Sequence, residues 1–212
     1  MTPTLGAVVA ASLVTAALAM VVTALVARRR GTVSVVDITW GLVFEALLAA
    51  APPGRRFGYA VRKVFVVQGL AAWFVSLPLQ VAASTDRPLG WIAAAGVVVW
   101  VVGVGFEGVG DAQLAGFKRD PANRGGVLDR GLWGWTRHPN YFGDAAVWWG
   151  LWLVAAEAWP GVLTVLSPVV MTYFLAFATG ARLLETQMAK RRGYPEYMER
   201  TSMFFPRPPR RG

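Results

Sequence analysis

Long apolar runs constrain the fold of this chain more than any other feature. The first extends from Leu5 to Ala27 and is stopped by three arginines, Arg28 to Arg30. An α-helix needs about 20 apolar residues to cross the hydrocarbon core of a bilayer, where it satisfies its own backbone hydrogen bonds. Because the charges follow the apolar run, the order is the reverse of that in a cleaved signal peptide. We therefore predict a retained membrane helix with its N-terminus outside.

Similar runs recur along the chain. They predict an all-α fold, a polytopic transmembrane helical bundle of about five to seven membrane helices with a cytoplasmic loop and a C-terminal amphipathic helix. The apolar runs are residues 5–27, 33–51 (the weakest), 64–83, 89–110, 141–159 and 161–180. Residues 111–137 form the extended polar loop, and the tail follows from residue 181. We expect two regions, N-terminal membrane helices in 1–54 and a membrane domain in 55–212.

Charge and composition narrow the classes of function. The net charge is +9, from 21 Lys and Arg against 12 Asp and Glu. The basic residues flank apolar runs, so they indicate cytoplasmic helix ends and membrane lipids as neighbours, and no nucleic acid is expected. Cysteine is absent, which excludes disulfides and thiolate ligands. With a single histidine we also expect no metal site.

The basic clusters of the N-terminal region cannot all satisfy the positive-inside rule with the apolar runs that separate them. By this rule four basic segments should face the cytoplasm: the arginines at 28–30, the linker at 55–63, the polar loop and the tail. Only the run 33–51 separates the first two of these clusters, and a single crossing there would leave one cluster outside. Either this run does not cross fully, one cluster breaks the rule, or a span is missing.

One glycine motif invites a nucleotide-binding interpretation. Gly103, Gly105 and Gly108 match the pattern G-x-G-x-x-G. The dinucleotide fingerprint requires a strand before it and a helix after it, whereas this match lies inside an apolar helix. Helix packing through small residues is the better interpretation.

The densest polar stretch extends from Asp129 to Asp144 and contains the only histidine, His138. Pro139 suits the first turn of a helix, whose free backbone N–H groups attract anions. Arg137 adds a cation able to bind phosphate in a bidentate manner, and His138 is able to hydrogen-bond a cofactor or donate a proton. An interfacial turn with a snorkelling arginine explains the same residues equally well.

Further charged pairs frame this stretch. Glu107 and Asp111 lie four residues apart on one helix face, with Lys118 about two turns further on. Arg182 and Glu185 share a face after the last apolar run. Glu107 and Asp111 fit a ribose- or amide-binding acid, or an ordinary helix end with solvated charges. Arg182 and Glu185 fit a tail that folds back and closes the pocket, or a surface salt bridge on an interfacial amphipathic helix.

Several of these motifs together resemble the DUF1295 family, which is similar to the C-terminal domain of steroid 5-alpha-reductases. The matching segments are DAQLAGFK at 111–118, DRGLW at 129–133, TRHPNYFGD at 136–144, LE at 184–185, YPEY at 194–197 and FFP at 204–206. The resemblance implies a helical membrane fold that encloses NADPH from the cytoplasmic side. It also implies reduction of an activated C=C bond in a lipid-phase, steroid or isoprenoid substrate.

The resemblance assigns roles to individual residues. Asp111 stands in the place of a cofactor-binding acid, Lys118 of a basic residue at the cofactor, and Asn140 of an asparagine in the cofactor pocket. The candidate catalytic residues are His138, Tyr141 and Glu45, the last in place of a proton-relay glutamate. The candidate cofactor-binding residues are Glu107, Asp111, Lys118, Arg137, Asn140, Asp144, Arg182 and Glu185.

Two alternatives stay open. The Arg-His-Pro turn also resembles isoprenylcysteine carboxyl methyltransferases, which bind S-adenosylmethionine, but Thr186 stands where that family has the second of two glutamates. The resemblance also implies a further span and a basic, Gly-rich cofactor loop between the run 33–51 and the linker at 55. We expect this chain to lack both, which is compatible with a truncated, non-catalytic membrane protein. We expect a bacterial plasma-membrane protein with its cofactor site facing the cytoplasm; the oligomeric state stays open.

Overall fold

The structure is a computed structural model that describes residues 4–30, 65–86 and 88–208. Its contacts divide the chain into two compact units, Met1–Asp86 and Arg87–Gly212. The run 33–51 and Glu45 lie outside the described residues, so the topology of that region and the role of Glu45 stay predictions, as does the domain boundary at 54.

The first unit contains three described helices, α1 (Leu5–Arg30), α2 (Val66–Val75) and α3 (Leu77–Ala83). Helix α1 packs against both α2 and α3. The chain bends by 49° between α2 and α3. Pro78 lies in the first turn of α3 and cannot donate the backbone hydrogen bond that would continue α2 without a break. Together α2 and α3 correspond to the predicted run at 64–83.

The second unit is built around an antiparallel pair of long helices, α4 (Trp91–Arg119) and α5 (Pro139–Ala156). Glycines spaced seven residues apart line their interface. A Cβ atom on Gly103 would lie 2.6 Å from the backbone nitrogen of Val147, and one on Gly143 would lie 2.5 Å from that of Glu107. The backbones therefore approach more closely than any larger residue would allow.

The glycine motif thus has a packing role at one of its three positions. Gly103 faces α5, whereas a Cβ on Gly105 or Gly108 would meet nothing within 4 Å. All three lie in the middle of α4. This position is incompatible with the strand-to-helix turn of a dinucleotide fingerprint.

Helices α4 and α5 contact each other at both ends of the pair. At one end Glu157, which follows α5, accepts a hydrogen bond of 2.8 Å from the backbone nitrogen of Ala93 in the first turn of α4. At the other end a Cβ on Gly110 would lie 3.2 Å from the Pro139 ring. Helix α4 continues to Arg119, so the polar loop begins nine residues later than the sequence predicted.

The chain then returns through a nearly continuous helical segment. A 3₁₀ turn (Gly161–Val165), α6 (Leu166–Tyr173) and a π turn (Phe174–Ala178) lead to α7 (Ala181–Met188). A short α8 (Tyr194–Arg200) follows Gly193, whose φ of 81° suits a glycine. Among the described residues the isolated β-bridge is the pairing of Thr136 with Ser202.

Length and composition identify candidate membrane helices among the described residues. Among the described residues, Trp91–Arg119 and Gly161–Met188 are long and apolar enough to cross a membrane, and α2 with α3 make a third span if they count as one. Helix α5 has Asn140 and Asp144 in its first two turns and falls short of this apolar character. The helices indicate an integral membrane protein, but the expected five to seven spans are not confirmed.

Candidate functional site

The turn before α5 is held by the C-terminal tail. The backbone nitrogen of Arg137 donates to the carbonyl oxygen of Ser202 at 2.8 Å. The Thr136 hydroxyl donates to the carbonyl oxygen of Phe204 at 2.9 Å. The tail therefore folds back beside the turn, as one of the two interpretations of the sequence required.

Arg137 is buried and almost fully occupied by protein partners. Its Nε lies 2.5 Å from Glu185 Oε1 and its Nη2 lies 3.0 Å from Oε2, a bidentate pair. Its Nη1 donates to the carbonyl oxygens of Met198 and Thr201. Arginine has five N–H donors, and these contacts use four of them. Arg137 thus joins the start of α5 to α7 and to the end of α8.

The partner of Glu185 differs from the one its sequence neighbours suggest. Arg182, three residues earlier on α7, is exposed, and among the described residues Glu185 pairs with Arg137 instead. Glu185 is buried. Arg137 supplies the opposite charge that a buried carboxylate requires, from a segment 48 residues away in sequence.

His138 adds a third ionisable group to this cluster. It is 3% exposed, and its Nε2 lies 3.4 Å from Glu185 Oε1. The Nε2 atom makes no hydrogen bond to any described residue. The imidazole ring stacks on Tyr141 with 5.5 Å between ring centroids and 9° between ring planes. The arrangement leaves a buried imidazole nitrogen close to a carboxylate oxygen.

A second polar pair lies two residues further on. Asn140 Nδ2 donates to Asp111 Oδ1 at 3.1 Å, and Asn140 Oδ1 accepts from the backbone nitrogen of Tyr141 at 3.0 Å. Asp111 is exposed and Asn140 is half-buried. Among the described residues, these contacts leave the second Nδ2 hydrogen of Asn140 and Oδ2 of Asp111 available, one donor and one acceptor. The two residues that the resemblance grouped are therefore in contact.

The other predicted site residues differ in their exposure to solvent. Glu107 is half-buried one turn before Asp111, and Lys118 is exposed in the last turn of α4. Asp144 accepts a hydrogen bond of 3.1 Å from Trp148 Nε1. Arg182 faces outward, and Glu45 is outside the described residues.

Sequence reasoning missed the residues that connect the polar loop to the helices. Gln113 Oε1 accepts from the backbone nitrogen of Leu132 at 3.0 Å, and Trp133 Nε1 donates to the carbonyl oxygen of Gly110 at 2.9 Å. The Tyr197 hydroxyl donates to the carbonyl oxygen of Trp133. The spacing of Gln113 from Asp111 gave no signal for this role, because the partners lie more than a dozen residues away.

Two tyrosines of α8 are embedded in the same region. Burial raises the pKa of Tyr194 to about 12, with a further contribution from the Glu185 charge. Burial also raises the pKa of Tyr197 above its ordinary value. Both phenols are therefore neutral at physiological pH and are able to donate a hydrogen bond.

These features define a helical membrane protein with a polar turn that a returning tail holds against two helices. The chain belongs to the family "Protein of unknown function (DUF1295)", whose model matches residues 53–201. It is similar to the steroid 5-alpha-reductase DET2 of Arabidopsis thaliana, with 38% identity over 74 residues. That match covers 34% of this chain and 27% of the plant protein. No solved structure matches this chain.

Proposed function

We propose that this protein is an integral membrane reductase that uses NADPH to reduce an activated C=C bond in a lipid-like substrate. The family membership and the partial similarity to a steroid 5-alpha-reductase support this reaction class. The observation on which the proposal depends is the contact between Asp111 and Asn140 at the turn that contains His138.

The chemistry of the turn fits a nicotinamide dinucleotide. The remaining acceptor of Asp111 and donor of Asn140 match a ribose hydroxyl pair or a carboxamide, both of which donate and accept hydrogen bonds. Lys118 lies on the same helix about 10 Å further along, at 1.5 Å per residue, and its exposed ammonium suits a phosphate. When bound, NADPH supplies a hydride.

The buried cluster has a different task in this proposal. Arg137 and Glu185 hold α5, α7 and the tail together, so that His138 and Asn140 keep fixed positions. His138 Nε2 lies 3.4 Å from Glu185 Oε1, so the carboxylate is close enough to orient the imidazole ring. His138 and Tyr141 are the described candidates for polarising a substrate carbonyl, and Glu45 is the third candidate.

Deuteride transfer tests the reaction class. The full chain in lipid nanodiscs is given NADPH deuterated at nicotinamide C4 and a set of steroid and isoprenoid enones, and the products are analysed by mass spectrometry. We expect a saturated product that carries one deuterium at the β-carbon. The proposal is wrong if no enone is reduced while S-adenosylmethionine transfers a methyl group to an isoprenoid carboxylate.

A further inference from the structure

A separate polar cluster lies where α2 gives way to α3, in the first unit. The sequence there reads WFVSLPLQ from Trp73 to Gln80. The two helices are apolar enough to form one broken membrane span, bent by 49°. Irregular backbone at membrane depth occurs where it is covered by protein or lines a cavity. The polar residues at this bend therefore require an explanation.

Three groups in the cluster are joined by hydrogen bonds. Gln80 Nε2 donates to the carbonyl oxygen of Trp73 at 2.9 Å and to the hydroxyl oxygen of Ser76 at 2.8 Å. The Ser76 hydroxyl donates to the same Trp73 carbonyl oxygen at 2.8 Å. Because a carbonyl oxygen only accepts, the amide nitrogen of Gln80 must face it, and the orientation of the amide is determined.

With the amide in this orientation, two buried polar atoms of the cluster make no hydrogen bond to a described residue. Oε1 of Gln80 and Nε1 of Trp73 are buried and have no hydrogen-bond partner among the described residues. Gln80 as a whole is 3% exposed. Buried polar atoms in proteins are nearly always paired, so an unpaired acceptor and an unpaired donor on residues seven positions apart indicate a missing partner.

The chemistry of these atoms selects the partner. Oε1 needs a hydrogen-bond donor and the indole N–H needs an acceptor. A hydroxyl group supplies both, whereas a ketone, an ether or a carboxylate only accepts and an ammonium only donates. The surrounding span is apolar, so the rest of the partner has to be apolar as well.

We propose that Trp73 and Gln80 bind the hydroxyl group of an otherwise apolar molecule that enters from the lipid phase. The indole N–H donates to the hydroxyl oxygen, and the hydroxyl hydrogen is donated to Oε1 of Gln80. This site does not depend on the proposed reductase activity, since it needs neither NADPH nor the turn at 137–140.

Photolabelling tests the site on the full chain in nanodiscs without nucleotide. The probes are a diazirine-bearing hydroxysteroid and a diazirine-bearing hexadecanol, each paired with its methyl ether, and labelled positions are located by peptide mass spectrometry. We expect at least one alcohol to label residues 65–86 with about fivefold higher affinity than its ether, since the ether has lost one hydrogen bond.

Two near-isosteric variants separate the contacts. Gln80→Met should abolish the preference for alcohol over ether. Trp73→Phe should weaken binding of both about fivefold. Leu79→Ala, an exposed apolar position on the same helix, should retain the wild-type preference. Folding of each variant is checked by its elution from size-exclusion chromatography.

Three results would overturn the proposal. One is the absence of labelling within 65–86 by either alcohol. Another is equal affinity of alcohol and ether for the wild type. The third is unchanged binding in folded Gln80→Met and Trp73→Phe, which would mean that only solvent satisfies these two atoms.

Discussion

Two polar pairs meet at the turn 137–140, Arg137 with Glu185 and Asp111 with Asn140. They differ in how many of their hydrogen-bonding groups are already used by protein partners. Arg137 and Glu185 are buried and directed almost wholly at protein partners. Among the described residues, Asp111 and Asn140 make one hydrogen bond with each other and keep one donor and one acceptor. Residues that a sequence groups into one pocket thus divide into a set that holds the structure and a set that is able to meet a ligand.

The same difference predicts opposite responses to mutation. Removing one partner of a buried ion pair leaves a buried charge without compensation, whereas an exposed polar contact contributes little to stability. Variants of the buried set should lose folded protein. Variants of the exposed set should fold and lose ligand binding.

The largest effect is expected from Glu185→Ala. The change leaves the Arg137 guanidinium buried without its carboxylate, at a cost of about 3–5 kcal/mol. We expect the melting temperature in detergent to fall by about 10 °C. Arg182→Ala, on the same helix but exposed, is the control and should melt within about 1 °C of the wild type. Equal melting of both variants would contradict the division.

A smaller effect is expected in the helix pair that supports both sets. Gly103→Ala places a Cβ 2.6 Å from the backbone nitrogen of Val147, so α4 and α5 must separate. The cost should be about 1–3 kcal/mol, measured by thermal unfolding. Gly105→Ala, two positions away, meets nothing within 4 Å and should be neutral or slightly stabilising. A loss of stability in Gly105→Ala equal to that in Gly103→Ala would mean that the interface is placed wrongly.

Alkaline pH should loosen the tail that covers the buried set. Since burial raises the folded-state pKa of Tyr194 from 10.0 to about 12, folding favours its protonated form. The resulting stability is complete below pH 10.0 and is lost as the pH rises towards about 12. Melting curves at pH 8 to 12 should show this decline, and Tyr194→Phe should reduce it. A Tyr194→Phe variant with the full wild-type decline would rule out this phenol as its source.

The smallest effect on stability is expected for Asn140→Ala. Its contact with Asp111 lies at the surface, so we expect a change of about 0.5 kcal/mol or less. Thermal unfolding of this variant beside Glu185→Ala measures the contrast within one experiment. A destabilisation of Asn140→Ala close to that of Glu185→Ala would place both groupings in the same structural class.

Local sequence patterns predicted the positions of the helices better than the tertiary contacts of individual side chains. The apolar runs located α4 and the segment from 161, because burial in lipid and helix formation follow from composition alone. The end of α4 was wrong, since the sequence shows a polar stretch from Asp111 but not that the helix continues through it. Residues 31–64 lie outside the described part, so the missing span and Glu45 stay predictions.

The candidate site residues were predicted as one group, and the structure places them in two groups of contacts. Their role in binding a cofactor stays a prediction. The Arg-His-Pro-Asn motif located the turn correctly, but the contact of Arg137 with Glu185 joins positions 48 residues apart, which no local spacing reveals. The sequence offered Arg182 as the partner of Glu185, and the tertiary contact replaced it. The unpaired atoms of Trp73 and Gln80 were also invisible in sequence, because two such residues in an apolar run carry no periodic signal.

A titration of the full chain with NADPH tests the central claim most directly. Wild type, Asp111→Asn and Asn140→Ala are compared with Asp129→Asn, an exposed aspartate whose partner is Arg200 on α8. We predict that the wild type binds NADPH, that both variants at the turn bind it about tenfold more weakly, and that Asp129→Asn binds it as the wild type does. No binding by the wild type, or unchanged affinity in folded Asn140→Ala, would contradict the account.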